Sequence, residues 1–173
     1  MDSLVHLYRQ MADMGGDFHG LTILQHHKII AKLVKNTKSR TLLDYGCGRA
    51  DAYRSPHSFP SVIGVKWSDV YLYDPAFEQY SVKPPGRKFD GVLCSDVCEH
   101  IPEDEVPDFV ATLFQHARRF VWASVCCRPA SKTFPNGITN LHVTVRPIEW
   151  WRERFTEASA RNLGAIFYLT ETP

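Results

Sequence analysis

The chain has 173 residues, 44% hydrophobic and 23% charged, the proportions of an ordinary globular domain rather than of a disordered or membrane-spanning polypeptide. Its 20 basic and 19 acidic side chains leave a net charge of +1, so no global field draws it to duplex nucleic acid or to an anionic lipid surface. Five cysteines, at 47, 94, 98, 126 and 127, form no CxxC pair, which argues for free thiols and against a disulfide frame or zinc cage; no metal site is expected.

No segment reaches the ~20 apolar residues of a bilayer-crossing helix. Met1-Asp2-Ser3-Leu4 lacks the basic start and apolar run of a signal peptide, so a cytoplasmic location is expected. Residues 1–36 predict two helices with a break at Gly15-Gly16-Asp17, followed by Leu21, Leu24, Ile29, Ile30 and Leu33 at helical spacing. Thr41-Leu42-Leu43-Asp44 reads as a short strand ending in an acid and running into a tight turn at Gly46 and Gly48. Pro56 and Pro60 limit any following helix to a turn or two, and Val62-Ile63-Gly64-Val65 reads as a short extended piece.

Val70 to Tyr73 is a second strand ending at Asp74-Pro75, and Gly91 to Ser95 a third, entered through Phe89-Asp90 and closed by Asp96. A helix is predicted from Pro102 to Arg118, with acids at 103–105 facing the positive end of its dipole and His116, Arg118 and Arg119 the negative end. Phe120 to Val125 carries no charge and fits a strand buried on both faces. After a polar loop from Cys126 to Asn140 come a helix from Pro147 to about Ala160 and a last strand at Ala165 to Leu169. The alternation of strands and helices predicts one α/β domain with a mostly parallel sheet, the helices of residues 1–38 standing ahead of a core over 40–173.

Open α/β sheets bind ligands at the carboxyl ends of their strands. A dinucleotide loop reads GxGxxG and meets a pyrophosphate. Here Asp44 precedes the first glycine by two residues and the third glycine is missing, a combination that repels phosphate and favours a cationic, phosphate-free cofactor.

Asp44-x-Gly46-x-Gly48 resembles the first motif of class I S-adenosylmethionine-dependent methyltransferases, with Ala50 where many have a third glycine. Tyr71-Leu72-Tyr73-Asp74 resembles their second strand and its acid, which accepts hydrogen bonds from ribose hydroxyls. The stretch from Phe89 to Pro102, FDGVLCSDVCEHIP, closely resembles the fourth motif and is the most specific part of a likeness running from about Thr41 to Trp151. The resemblance is to small single-domain bacterial or phage types.

It implies a Rossmann-like fold, S-adenosyl-L-methionine as cofactor with S-adenosyl-L-homocysteine as product, and cofactor contacts from Asp44, Tyr45, Gly46, Cys47, Gly48, Tyr73, Asp74, Pro75, Ser95, Asp96, Val97 and His100. Two departures stand. The interval from Asp44 to Asp74 exceeds the usual ~20 residues, and taking Val62 to Val65 as the second strand puts Lys66 in the acid's place; a lysine cannot accept hydroxyl hydrogens, which favours Asp74. The chain also has one strand after the last helix where the full fold has an antiparallel pair, leaving a trimmed edge that a second copy can cover as a homodimer.

Direct in-line methyl transfer requires positioning and, for hydroxyl acceptors, removal of a proton. His100 and His142 are the candidate bases, the latter matching a histidine that many small-molecule methyltransferases carry after the fifth strand. His19, His26, His27 and His57 have weaker claims, and Glu99 reads equally as part of a solvated face. Trp150-Trp151 with Arg146 are either pocket wall or core; Phe134, Asn136 and Asn140 lie in a loop able to act as a lid; Tyr8 and Phe18 are placed to close over the cofactor if the N-terminal helices cross its pocket. Cys126-Cys127 read as buried strand-end residues rather than nucleophiles.

The expected acceptor is an oxygen or nitrogen of a small molecule. A nucleotide or modified base is the alternative, with Lys66, Lys83, Arg87, Lys88, Arg128 and Lys132 as its basic residues, and a non-catalytic cofactor-binding module is another.

Overall fold

Leu42–Tyr45 form the first strand, β1, and its alternation divides the molecule into two layers. Leu42 packs with the N-terminal helices, whereas Leu43 and Tyr45 pack with the later ones. The computed structural model describes residues 4–16, 18–162 and 164–172; Met1-Asp2-Ser3 and Asp17 of the predicted break lie outside them. The other strands are β2 (Val70–Tyr73), β3 (Phe89–Ser95), β4 (Ala117–Val125) and β5 (Ile166–Glu171). Every pairing is parallel and the order is β2-β1-β3-β4-β5, with β5 paired on β4 at the edge.

The helices are α1 (Val5–Asp13), α2 (His27–Thr37) preceded by a 3₁₀ turn at Thr22–His26, α3 (Phe59–Val62), α4 (Val106–His116) and α5 (Ile148–Arg161). One face of the sheet carries α4 and α5, whose Phe109, Trp151 and Phe155 share a core with Val92 and Val121; the other carries α2 and α3 over Leu42, Leu93, Phe120 and Trp122. The predicted α/β class with its parallel sheet is thus the observed Rossmann-like architecture. Among the described residues no helix is long and apolar enough to cross a membrane.

Two predicted elements are corrected, the second at both its ends. Val62 to Val65 is not extended: the N–H groups of Ile63 and Val65 bond back to the carbonyls of Phe59 and Pro60, so they cannot join a ladder, and Val70–Tyr73 takes the place beside β1. Helix α4 begins at Val106 with Pro107 in its first turn, leaving Pro102 outside. It also stops at His116, because Arg118 and Arg119 belong to β4, where Asp90 draws both guanidinium groups to 2.9 and 3.3 Å.

Candidate functional site

The strand order turns between β1 and β3, and a cavity of about 340 Å³ opens there at the carboxyl ends of β1, β2 and β3. Its size falls within the roughly 300–1,000 Å³ of small-molecule sites. The floor is made by Tyr45, Gly46 and Gly48 at the end of β1, Asp74 and Pro75 after β2, and Ser95, Asp96 and Val97 at the end of β3. The roof comes from Leu4, from α1 through Val5, Tyr8 and Met11, and from the segment carrying Phe18 and Gly20.

That segment lies directly on the glycine loop: Arg49 donates its N–H to the Phe18 carbonyl at 2.8 Å and Asp51 to that of His19 at 3.0 Å. The approach leaves no room for a side chain at Gly48, where a Cβ would stand 2.4 Å from the Phe18 oxygen; at Gly46 it would stand 2.3 Å from a Val97 methyl. Both residues have positive φ, +57° and +97°. The glycines therefore serve contacts within the chain as well as access for a ligand.

Asp74 is fastened to the loop, its Oδ2 accepting the Gly48 N–H at 2.8 Å and its Oδ1 the Ala76 N–H at 2.9 Å. Burial raises its pKa, opposed by those two backbone bonds. Asp96, at φ +52°, donates its N–H to the Ser124 carbonyl, and its Oδ1 accepts the hydroxyls of Ser124 and Thr172. The cavity thus carries carboxylates from two strand ends.

Beyond β3, His100 lines the cavity, with Nδ1 3.0 Å from the Leu141 carbonyl and 3.1 Å from the Tyr8 hydroxyl, which itself donates to Leu141 O at 2.9 Å. Burial, with His142 adding to it, lowers the His100 pKa to about 4. His142 stands edge-on to His100 with centroids 5.0 Å apart, but it does not line the cavity. Glu99 is fully buried, its Oε1 accepting the Cys126 N–H at 2.9 Å; burial, with Asp96 adding to it, raises its pKa to about 8.

Nine of the twelve residues expected around the cofactor line the cavity: Tyr45, Gly46, Gly48, Asp74, Pro75, Ser95, Asp96, Val97 and His100. Asp44, Cys47 and Tyr73 do not. Strand alternation turns Asp44 onto the α3 side, where it accepts the Tyr53 hydroxyl at 2.6 Å; Cys47 is buried there too, and Tyr73 serves through its carbonyl, which receives the N–H groups of Gly46 and Cys47.

Tyr8 and Phe18 close over the cavity, as the reading of the N-terminal segment expects. Trp151 is core and Trp150 stacks under Arg154, so neither is a pocket wall, and Arg146 pairs with Glu103 at 2.8 Å. Phe134 packs beneath Tyr8, Asn140 holds both backbone groups of Ala130, and Asn136 bonds within its own turn; of this loop only Ala130, Ser131 and Lys132 reach the cavity. Sequence reasoning missed Met11, Phe77 and Phe109 among the lining residues. Met11 lies three positions after Tyr8 on the same helical face, a spacing that could have found it.

The chain matches the family model described as Methyltransferase domain over residues 22–160. No curated protein matches it.

Proposed function

The chain belongs to the class I S-adenosylmethionine-dependent methyltransferase superfamily, and from that premise we propose that the cavity binds S-adenosyl-L-methionine and that the protein methylates an oxygen or nitrogen of a small molecule. The observation that carries this reading is Asp74. Its carboxylate sits on the cavity wall, locked to the glycine loop through Gly48, where it can accept the hydroxyls of a ribose.

The residues fit the cofactor's chemistry. Asp74 and Asp96 put negative charge beside a ligand that carries an ammonium and a sulfonium, while Tyr45, Val97 and Phe109 give apolar surface for the rest. Bound there, the cofactor supplies a methyl group on a positively charged sulfur, open to in-line attack. Ser95 and Asp96 would hold the methionine end, and Asp44, on Tyr53, braces the loop from behind. The roof from α1 covers the cavity, and His100 lines the side that we assign to the acceptor. Of the six basic residues that a nucleotide acceptor would engage, Lys132 alone lines the cavity, which supports the small-molecule reading.

Calorimetric titration with S-adenosylmethionine, S-adenosylhomocysteine and NAD tests the proposal. Micromolar or tighter binding of the first two and none of NAD is expected; the reverse pattern overturns it. Asp74→Ala should weaken S-adenosylhomocysteine at least tenfold, since each charge-assisted hydrogen bond contributes about 1.5–3 kcal/mol. Unchanged affinity would remove Asp74 from the site.

A further inference from the structure

Glu99 and His100, in the 3₁₀ turn Cys98–His100 after β3, meet His142 from the segment ahead of α5. While Oε1 of Glu99 is satisfied by the Cys126 N–H, its Oε2 is buried and has no hydrogen-bond partner among the described residues. A buried polar atom left this way in a folded protein points to a bound ion or water.

The two imidazoles are fixed by the main chain. Nδ1 of His100 lies 3.0 Å from the Leu141 carbonyl and Nδ1 of His142 lies 2.6 Å from the Arg128 carbonyl. A carbonyl only accepts, so each Nδ1 carries the hydrogen and each neutral ring keeps its lone pair on Nε2. Metal-binding imidazoles are oriented by this kind of anchor. One donor atom from each of the three side chains lies within 4.8 Å of the others.

We propose that Glu99, His100 and His142 bind a divalent first-row transition-metal ion on the acceptor side of the cavity. Two imidazoles and a carboxylate suit Mn²⁺, Co²⁺ or Zn²⁺ better than Mg²⁺ or Ca²⁺, which prefer all-oxygen sites. Tetrahedral ligands at about 2.1 Å stand roughly 3.4 Å apart, so side-chain shifts of about an ångström close the set. The cysteine spacing that argued against a zinc cage had no bearing on a set without sulfur.

Three protein ligands would leave coordination positions open, and of the three side chains it is His100 that lines the cavity. Resting on the methyltransferase reading, the ion's task is to hold and acidify a hydroxyl of the acceptor, which makes oxygen the methylated atom. The hydroxyl proton passes to water, the oxygen's electron pair forms the new C–O bond, and the pair of the broken C–S bond stays on sulfur. The histidines then act as ligands and not as proton acceptors.

The test is titration of the chelator-stripped full chain with Co²⁺ and Zn²⁺, followed by visible absorption and calorimetry. One ion per chain at micromolar affinity or tighter is expected, with the absorption bands of nitrogen-bound Co²⁺. Glu99→Gln and His142→Ala should each weaken it ten- to a hundredfold; His142→Gln, at a half-buried position, repeats the test without opening the core. S-adenosylhomocysteine binding reports that each variant is folded. Absence of stoichiometric binding, or wild-type affinity in the variants, overturns the site. Metal binding without S-adenosylhomocysteine binding sinks the methyltransferase reading and leaves the metal site standing; the opposite result does the reverse.

Discussion

At Gly46 a single hydrogen atom separates two requirements. The backbone takes φ +97°, and a Cβ would stand 2.3 Å from Val97 Cγ2, so Gly46→Ala combines torsional strain with a clash. Together they should cost about 2–4 kcal/mol in urea unfolding. Val97→Ala in the same chain removes the clash and leaves the torsion, so the double variant should be more stable than the sum of the single effects; strict additivity would mean that Val97 is not what excludes the side chain.

Asp44 belongs to the same motif and does different work. Burial raises its pKa to about 7, the Tyr53 hydrogen bond opposing and Asp74 reinforcing it. The folded-state value lies above the ~3.9 of an unfolded chain, so its contribution to stability falls as pH rises from about 4 to about 7. Asp44→Asn should therefore lose less stability than wild type between pH 5 and pH 8, and equal losses would show that the folded-state carboxyl is already ionised at pH 5. The motif was legible as an acid and two glycines. That the acid faces away from the ligand is a matter of strand parity, since Tyr45 next to it lines the cavity.

Among the elements, the strands could be read because their ends carry acids and glycines, whereas the limits of β4 depend on a partner distant in sequence. Asp90 accepts the N–H groups of Arg40 and Thr41 and pairs with Arg118 and Arg119, joining the starts of β1, β3 and β4. No local pattern announces that two arginines after a helix will enter a strand to meet it. Burial works to raise the Asp90 pKa, but the two backbone bonds and the two arginines outweigh it and hold the value at about 2. A depressed pKa stabilises above the unfolded value and is lost as pH falls from about 4 toward about 2. Asp90→Asn should cost about 2 kcal/mol at pH 7 and progressively less below pH 4, as measured by chemical unfolding. Its place at the start of β3, away from the cavity, gives one aspartate of the most specific motif a structural task.

Across the whole molecule, the layers followed from the alternation of strands and helices, and the turn in strand order put the site where α/β sheets bind ligands. What remained hidden in the sequence was convergence. Glu99, His100 and His142 meet only because the chain after β4 doubles back through Asn140 and Leu141, and the roof forms only because residues 18–20 settle on the loop at 46–50. Tyr8 joins these regions, touching Phe18, Phe134, His100 and Leu141. Tyr8→Phe deletes its bond to the Leu141 carbonyl, about 1 kcal/mol, and should speed S-adenosylhomocysteine release severalfold in stopped-flow measurements. An unaltered release rate would mean that α1 does not close the cavity.

Although α1 roofs the cavity, none of its residues is fully buried, and it meets the rest of the protein through few side chains. Were an element held so lightly to exchange between seated and lifted positions, a ligand beneath it would shift that balance toward the seated one. The arrival rate then follows the fraction of molecules with the helix lifted, and the residence time follows how seldom it lifts again. Two chains with identical cavities and different first helices would turn over at different speeds.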